Sequence, residues 1–571
     1  QVNVGNDPQV VLDTMTDVIE KVVKDGVSDK DVERSKVQLL KHRELEAADT
    51  SGIAVGLSDW AALGDWRLYF LHRDRVEKVT AADVKAAAQK YLLRNNMTIG
   101  LFIPTDKAQR IEVTPTPALP EMLANYKGRA DQSQGEEFSV TPAHIESRTK
   151  RLKLTPGVDA ALLSKKTRGE VVELRLAVRY GNAASLAKLS TACEFLPELM
   201  ARGTKKLSRA ELQDELDLNR ATLSAAGMAG VSIFTIQTKR SNFAAVIDLL
   251  KQVLREPKLD ASELDVLKNR HLATLEGQRN DPQALASRTM QRMYAPYPPT
   301  DVRYVATVAE EIERVKALDA ATIQKLYADF LSGQAVQMSV VGDFDEAAIT
   351  PKLKDLFADW KAPQSYARIE RSAPEKWVSG TLAIETPDKA NAVYYSGLSL
   401  PMKDDNPDYP ALVIGDYILG AGALSSRLGD RIRQREGLSY GVRSSFTADA
   451  MDPRASISVM AICNPANIGK VETAVREEIE LLLKSGPTAE ELTKAKAGYL
   501  QRAEVSRTDD STLAQQLNTT LLTGRTLAFQ SDIEKKIAEL TPEQVVAALR
   551  KYVDVKKLYV VTAGDFAKQK K

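Results

Sequence analysis

Histidine is scarce: only His42, His72, His144 and His271 occur in 571 residues. No two stand four apart, so no helix can present the imidazole pair of a helical zinc motif. His42, in His42-Arg43-Glu44-Leu45-Glu46, has no second histidine, and all four read as surface or helix residues. Cysteine is scarcer still. Cys193 and Cys463 lie far apart and neither has a Cys-x-x-Cys partner, which excludes a disulfide framework and leaves the redox compartment open. Charge of one sign is not in excess, with Lys+Arg at 78 and Asp+Glu at 77. Nucleic-acid binders usually carry a basic surplus, so no nucleic-acid partner is expected. Long apolar runs are lacking too: Ala411 to Leu419 is broken by Asp416 and is too short for a membrane span. There is no Gly-x-Ser-x-Gly elbow. Gly420-Ala421-Gly422-Ala423-Leu424-Ser425 follows a helical pattern with no Gly-Lys-Ser/Thr after it, so it reads as a helix-ending loop instead of a phosphate loop. Gln1 to Gln9 is polar, without the charged start and apolar core of a signal peptide. With Gln at position 1, a processed or truncated chain is expected, with any targeting segment outside these residues.

What is present is ordinary globular composition, 43% hydrophobic and 27% charged. The length exceeds what one core supports and predicts three or so domains. One pattern recurs three times. The first copy opens at Gly26-Val27-Ser28-Asp29, enters a helix, reaches Thr80-Ala81-Ala82-Asp83, and ends in Tyr91 and a strand Met97 to Phe102. The second runs from Leu259-Asp260-Ala261 through Asp319-Ala320-Ala321-Thr322 to Phe330 and the strand Gln337 to Gly342. The third runs from Gly486-Pro487-Thr488 through Thr541-Pro542-Glu543-Gln544 to Tyr552 and the strand Leu558 to Ala563. In each copy the cap and the aromatic are eleven residues apart, at 80 and 91, 319 and 330, 541 and 552. Ser, Thr or Asp at the cap accepts from free N–H groups, and in two copies the residue three positions on can return the bond. Eleven residues is about three helical turns, so each aromatic is expected to anchor its helix on a sheet.

Two strand-rich heads precede the second and third tails: Val171 to Val178 and Asn391 to Gly397, both with alternating apolar positions. The first tail has no complete head. The expected organisation is therefore a back half at 1–105, a linker at 106–144, a complete domain at 145–362, a short linker at 363–374, and a second complete domain at 375–571. The linkers are rich in proline and polar residues, as in Val113 to Pro120 and Ala130 to Glu137. The fold class is α+β: tandem homologous domains, each an antiparallel-rich sheet covered by helices.

The segment Leu419 to Val442 contains Ser425-Ser426-Arg427-Leu428, then Arg433, then Gly437-Leu438-Ser439-Tyr440. It resembles a segment of the pitrilysin/insulinase family of zinc metallopeptidases (the inverted-zincin group), in which an Arg and a Tyr seven residues apart hold the substrate backbone. Arg433 and Tyr440 match that pair. A guanidinium and a phenol can both donate to a peptide carbonyl whose oxygen turns negative during attack. On residue types alone Arg433 is one of several helix arginines and Tyr440 a sheet anchor. The ordered match over more than twenty residues favours the substrate-binding reading.

The preceding region resembles the same family and departs from its activity. Cys193-Glu194-Phe195-Leu196-Pro197-Glu198-Leu199-Met200, followed by Gly203-Thr204, matches the family's metal-binding stretch. Glu194 stands for the first His, Pro197 for the catalytic Glu and Glu198 for the second His. Proline is no general base and the imidazoles are gone, so the domain reads as degenerate, with no metal and no catalytic residue. The resemblance covers nearly the whole chain and implies a metallopeptidase-like, LuxS/processing-peptidase-like fold. It implies a zinc-free portion of a metalloendopeptidase, forming a chamber wall and a substrate-binding half for a peptide or small protein. Zinc is expected in an N-terminal domain or partner subunit, and this chain alone is expected to be inactive. The second reading is a non-catalytic binding or assembly subunit of the same family. The resemblance favours a periplasmic or secreted setting.

Overall fold

A computed structural model describes residues 7–100 and 135–567. Residues 7–100 are helical, with helices at Pro8–Asp25, Asp29–Ala48, Thr50–Ala62, Leu68–Val76 and Ala81–Tyr91. The expected caps form. Thr80 and Asp83 make a reciprocal capping box, as do Thr541 and Gln544, while Asp319 accepts from the Thr322 N–H. The aromatic anchors divide. Phe330 is buried, and Tyr552 is half-buried with its hydroxyl 3.0 Å from Asp408. Tyr91 is 65% exposed, contrary to the expectation that it anchors a sheet. The reason is local: residues 97–100 are irregular, so no strand comes after the helix within the described residues, and the rest of the expected strand lies outside them. Polar contacts tie this helical segment to the first sheet and its helices, with Arg34 on Asp214 at 2.7 Å and Lys239 on Glu44 at 2.8 Å. Lys41 pairs with buried Asp217.

The first sheet contains β1 (Lys150–Thr155), β2 (Val158–Ser164), β3 (Val171–Arg179), β4 (Thr222–Met228), β5 (Val231–Lys239) and β6 (Val336–Gly342), in the order β1-β2-β6-β3-β5-β4. The second contains β7 (Gly380–Glu385), β8 (Ala392–Leu400), β9 (Ser439–Ala448), β10 (Ala455–Cys463) and β11 (Tyr559–Gly564), in the order β7-β11-β8-β10-β9. Setting β1 aside, the two orders are the same permutation of chain order. The pairing senses agree as well. β2 and β6 are parallel, as are β7 and β11, and every other pair is antiparallel. The architecture is α+β with two repeated sheets.

One face of each sheet carries its own helices. Phe243–Arg255 buries Phe243, Val246, Ile247, Leu250, Val253 and Leu254, the three- and four-residue spacing of a one-sided helix. The strand β10 alternates buried and half-buried residues along its whole length. The opposite faces are closed reciprocally. Helix Asp510–Thr523, from the second sheet's half, lies across β6, β3 and β2 of the first. Its Leu513, Ala514 and Leu517 pack with Ala161, Leu163 and Val341. Helix Pro282–Tyr294, from the first sheet's half, lies across β8, β11 and β7 of the second, with Ala286 and Met290 against Val393, Val561 and Ala563.

Polar groups in the first crossing are closely matched. The Asn518 side-chain amide donates to the Gln337 carbonyl at 2.9 Å and lies 3.3 Å from the Arg175 carbonyl, and Ser339 Oγ donates to the Ala514 carbonyl at 2.6 Å. Lys165 pairs with Asp510 at 2.6 Å. Beneath this helix Glu173 is buried. Burial pushes its carboxyl up to about 8; the Asp510 and Asp509 charges add to the shift and a hydrogen bond from Gln237 opposes it.

Two outcomes are expected from the crossing. Asn518→Ala removes a buried side-chain donor to the Gln337 carbonyl, a hydrogen bond worth about 0.5–1.5 kcal/mol net, so thermal unfolding should shift down by a few degrees; an unchanged midpoint contradicts this role. Glu173 binds its proton more tightly folded than unfolded. Its contribution is complete below the ordinary carboxylate range and is lost as pH rises to about 8. Glu173→Gln keeps an acceptor for Gln237 and removes that loss. Its unfolding midpoint should gain on the parent's steadily from about pH 5 to about pH 8, and a pH-independent difference would contradict the assignment.

Candidate functional site

The degenerate stretch lies on the helix Ser190–Met200, which follows β3 and packs on β4. Glu194 and Glu198 are one turn apart on this helix, as their spacing requires, whereas Pro197 points into the core among Phe195, Leu196 and Leu199. Proline has no N–H, so the Cys193 carbonyl one turn earlier lacks its usual helical donor. That carbonyl faces β4: a Cβ on Gly227 would lie 2.1 Å from it. Only glycine lets helix and strand backbones approach this closely.

The donor set does not fit zinc. Glu198 is held by Arg270 at 2.5 Å. Glu194 reaches the surface, but crowding of its carboxyl by surrounding protein, and then the charge of Glu311, push it up to about 7 against the pull of Arg288 and Arg314. Glu311 itself is buried and accepts from Thr191 Oγ1 at 3.0 Å. A carboxyl that retains its proton near neutrality and another committed to a guanidinium are poor ligands for a dication. Among the described residues no group of three or more His, Cys, Asp or Glu side chains could hold a metal ion. The four histidines all sit on helices. Cys193 and Cys463 are buried free thiols, each pushed up to about 11 by burial. Glu311, Arg288 and Arg314 escape sequence reading because they come from helices about a hundred residues downstream, with no local pattern to mark them.

The Arg433/Tyr440 segment lies between β8 and β9, the place in chain order that the motif helix occupies between β3 and β4. After β8 comes the helix Tyr409–Asp416, which continues as a π-helical turn, Tyr417–Ala421. The glycine-rich piece expected as a loop is therefore partly helical. A Cβ on Gly420 would lie 2.4 Å from the Ser444 nitrogen of β9, so again a glycine permits close helix–strand contact. A second π-helical stretch, Gly429–Arg435, carries Arg433 at its exposed end and Ile432 in the core. π-turns widen a helix locally and recur at functional sites.

The four arginines of this stretch are not equivalent. Arg427 pairs with Glu491 at 2.7 Å, Arg431 with Glu436 at 2.8 Å and with Glu478, and Arg435 with Asp430 at 2.7 Å. Arg433 is exposed and makes no hydrogen bond or ion pair with any described residue. Tyr440 opens β9 at an irregularity. Ile462 faces Gly441 while Cys463 faces Ser439, which leaves Tyr440 as the extra residue of a β-bulge. Ser439 Oγ accepts the Gly441 N–H at 3.1 Å and donates to the Ile462 carbonyl at 2.7 Å, which fixes the bulge. Bulges re-aim a side chain, and Tyr440 stands 75% exposed.

Comparison with known proteins gives the family. The family model described as insulinase (peptidase family M16) matches residues 160–297, and the one described as the peptidase M16 inactive domain matches 317–499. The chain is 22% identical over 403 residues to the non-peptidase homolog YmxG of Helicobacter pylori, covering 70% of this chain and 90% of that protein. It is equally 22% identical to an uncharacterized zinc protease of Streptomyces coelicolor, over 65% of this chain and 80% of the relative. A peptidase M16 inactive domain from Pseudomonas fluorescens superposes with a TM-score of 0.64 at 22% identity, covering 73% of this chain and 97% of its own. The periplasmic protease PqqL from Escherichia coli superposes at 0.59 with 14% identity, over 96% of this chain and 62% of PqqL. No helix among the described residues is long and apolar enough to cross a membrane. Two family models in tandem, relatives aligned along most of their length, and a shared fold establish that this chain is a member of the pitrilysin/insulinase family, peptidase family M16.

Proposed function

We propose that this chain is the zinc-free, substrate-binding portion of a pitrilysin-type metalloendopeptidase, in which it forms chamber wall and holds peptide for hydrolysis. We further propose the unit boundaries 145–362 and 375–571, with 1–105 as the back half of a related unit and 106–144 and 363–374 as linkers. The observation that supports the substrate role best is the isolation of one arginine. Of four neighbouring guanidiniums, Arg433 alone has no partner among the described residues, and Tyr440 is turned outward by its bulge. Their donors are free to meet a peptide carbonyl. In the proposed reaction zinc and a general base come from a zinc-bearing N-terminal part or a partner subunit, and activate water there. Arg433 and Tyr440 orient the backbone and stabilise negative charge on the scissile carbonyl oxygen. A non-catalytic binding or assembly subunit is the second reading, favoured by likeness to a non-peptidase homolog over 70% of the chain.

Reconstitution separates them. With a zinc-bearing partner present, Arg433→Ala and Tyr440→Phe should each lower turnover by roughly a hundred- to thousand-fold, equivalent to about 2.7–4 kcal/mol, while zinc content and association stay unchanged. Full activity in both variants favours the assembly reading. The dialysed chain alone should hold no stoichiometric zinc by metal analysis. One tightly bound zinc per chain, lost on changing Glu194 or Glu198, would refute the account of the motif helix.

A further inference from the structure

A cavity of about 660 Å³ opens where β9 and β10 meet the helices Tyr409–Asp416 and Ala489–Ser506. It contains neither Arg433 nor Tyr440, nor any residue of the degenerate motif. Two of its walls carry arginines, Arg443 from β9 and Arg502 from Ala489–Ser506. Both are exposed, and neither makes a hydrogen bond or ion pair with a described residue. Their neighbour Arg507, by contrast, is buried against Glu534 at 2.5 Å. Asp416 is the one carboxylate among the lining residues. It is buried, its Oδ2 is taken by the Phe446 N–H at 2.9 Å, and its Oδ1 has no partner. Burial pushes this carboxyl up to about 6, against hydrogen bonds from Ser444 and Phe446.

The cavity therefore holds two uncompensated guanidiniums over one withdrawn acid. An oxyanion is the ligand such a lining favours, and a planar carboxylate matches the guanidinium fork. The remaining wall decides what carries the carboxylate. Tyr417 and Tyr499 meet edge to face at 6.4 Å and give an aromatic side. Ser445 and Ser458 present hydroxyls that bond to no described residue. Aromatic faces, small hydroxyls and a volume of about 660 Å³ suit a peptide better than a bare ion.

We propose that this cavity binds the carboxylate-bearing end of a short peptide, with Arg443 and Arg502 taking the carboxylate. The site shares no residue with the proposed Arg433/Tyr440 grip, so either can fail without the other. The test is calorimetric titration of the whole chain with N-acetyl-trialanine, its C-terminal amide, and inorganic phosphate. The free acid should bind, and the amide should bind at least about tenfold more weakly. Arg443→Ala and Arg502→Ala should each weaken the acid by about tenfold, whereas Arg433→Ala should leave it unchanged. Both positions are exposed, so folding should survive; Arg443→Lys, which keeps charge and loses the fork, should fall between parent and alanine variant. Equal binding of acid and amide, indifference to both alanine variants, or phosphate binding as tightly as the peptide would each overturn the proposal.

Discussion

Each sheet in this chain has a face that its own sequence neighbourhood leaves uncovered, and the helix that covers it comes from the other sheet's half. Asp510–Thr523 closes the first sheet and Pro282–Tyr294 closes the second. The two crossings occupy corresponding places in the repeat, so the arrangement is close to an isologous contact built within one polypeptide. Their chemistry differs. The first is partly polar, with Asn518, Ser339 and the Lys165–Asp510 pair beside the apolar cluster. The second is aromatic: Tyr294 stacks on Trp377 at 5.5 Å, and its hydroxyl would lie 2.0 Å from a Cβ on Gly397. Both the motif helix and the Arg433/Tyr440 segment are positioned on sheets that this exchange completes.

The two helix–strand contacts beside those sites show how a repeated fold diverges without changing topology. In the first half the glycine that permits contact is on the strand, Gly227, and a proline interrupts the helix opposite. In the second half it is on the helix, Gly420, and the helix relaxes into a π-turn. Neither solution presents imidazoles. Pro197 is buried in packing and Glu198 is held by Arg270 at the surface, whereas an unpaired Arg433 and an outward Tyr440 have no packing role that explains them.

Much of this is legible in the residues. Caps at Thr80, Asp319 and Thr541 mark helix starts because their side chains have local work to do. The resemblance of the stretches around Glu194 to Glu198 and Arg433 to Tyr440 to the family is legible for the same reason: the information is contiguous. What stays hidden depends on distant chain. Tyr91 reads as a sheet anchor because its spacing repeats, yet whether a sheet lies beneath it is a tertiary fact. The partners of Arg427 and Arg431, Glu491 and Glu478, which help single out Arg433 by elimination, also come from distant chain. Glu311 beside Glu194 and the cavity between β9 and Ala489–Ser506 likewise cannot be read from spacing.

The reciprocal closure also sets a schedule for biosynthesis. Asn518 reaches the carbonyl of Arg175 across 343 residues of chain. At roughly 5–20 residues per second, β3 leaves the ribosome about 20–70 s before the helix that will cover it. Throughout that interval Ala161, Leu163 and Val341, once made, form an apolar face with no native cover. A newly made first sheet therefore either waits in a partly open state or is shielded by a chaperone.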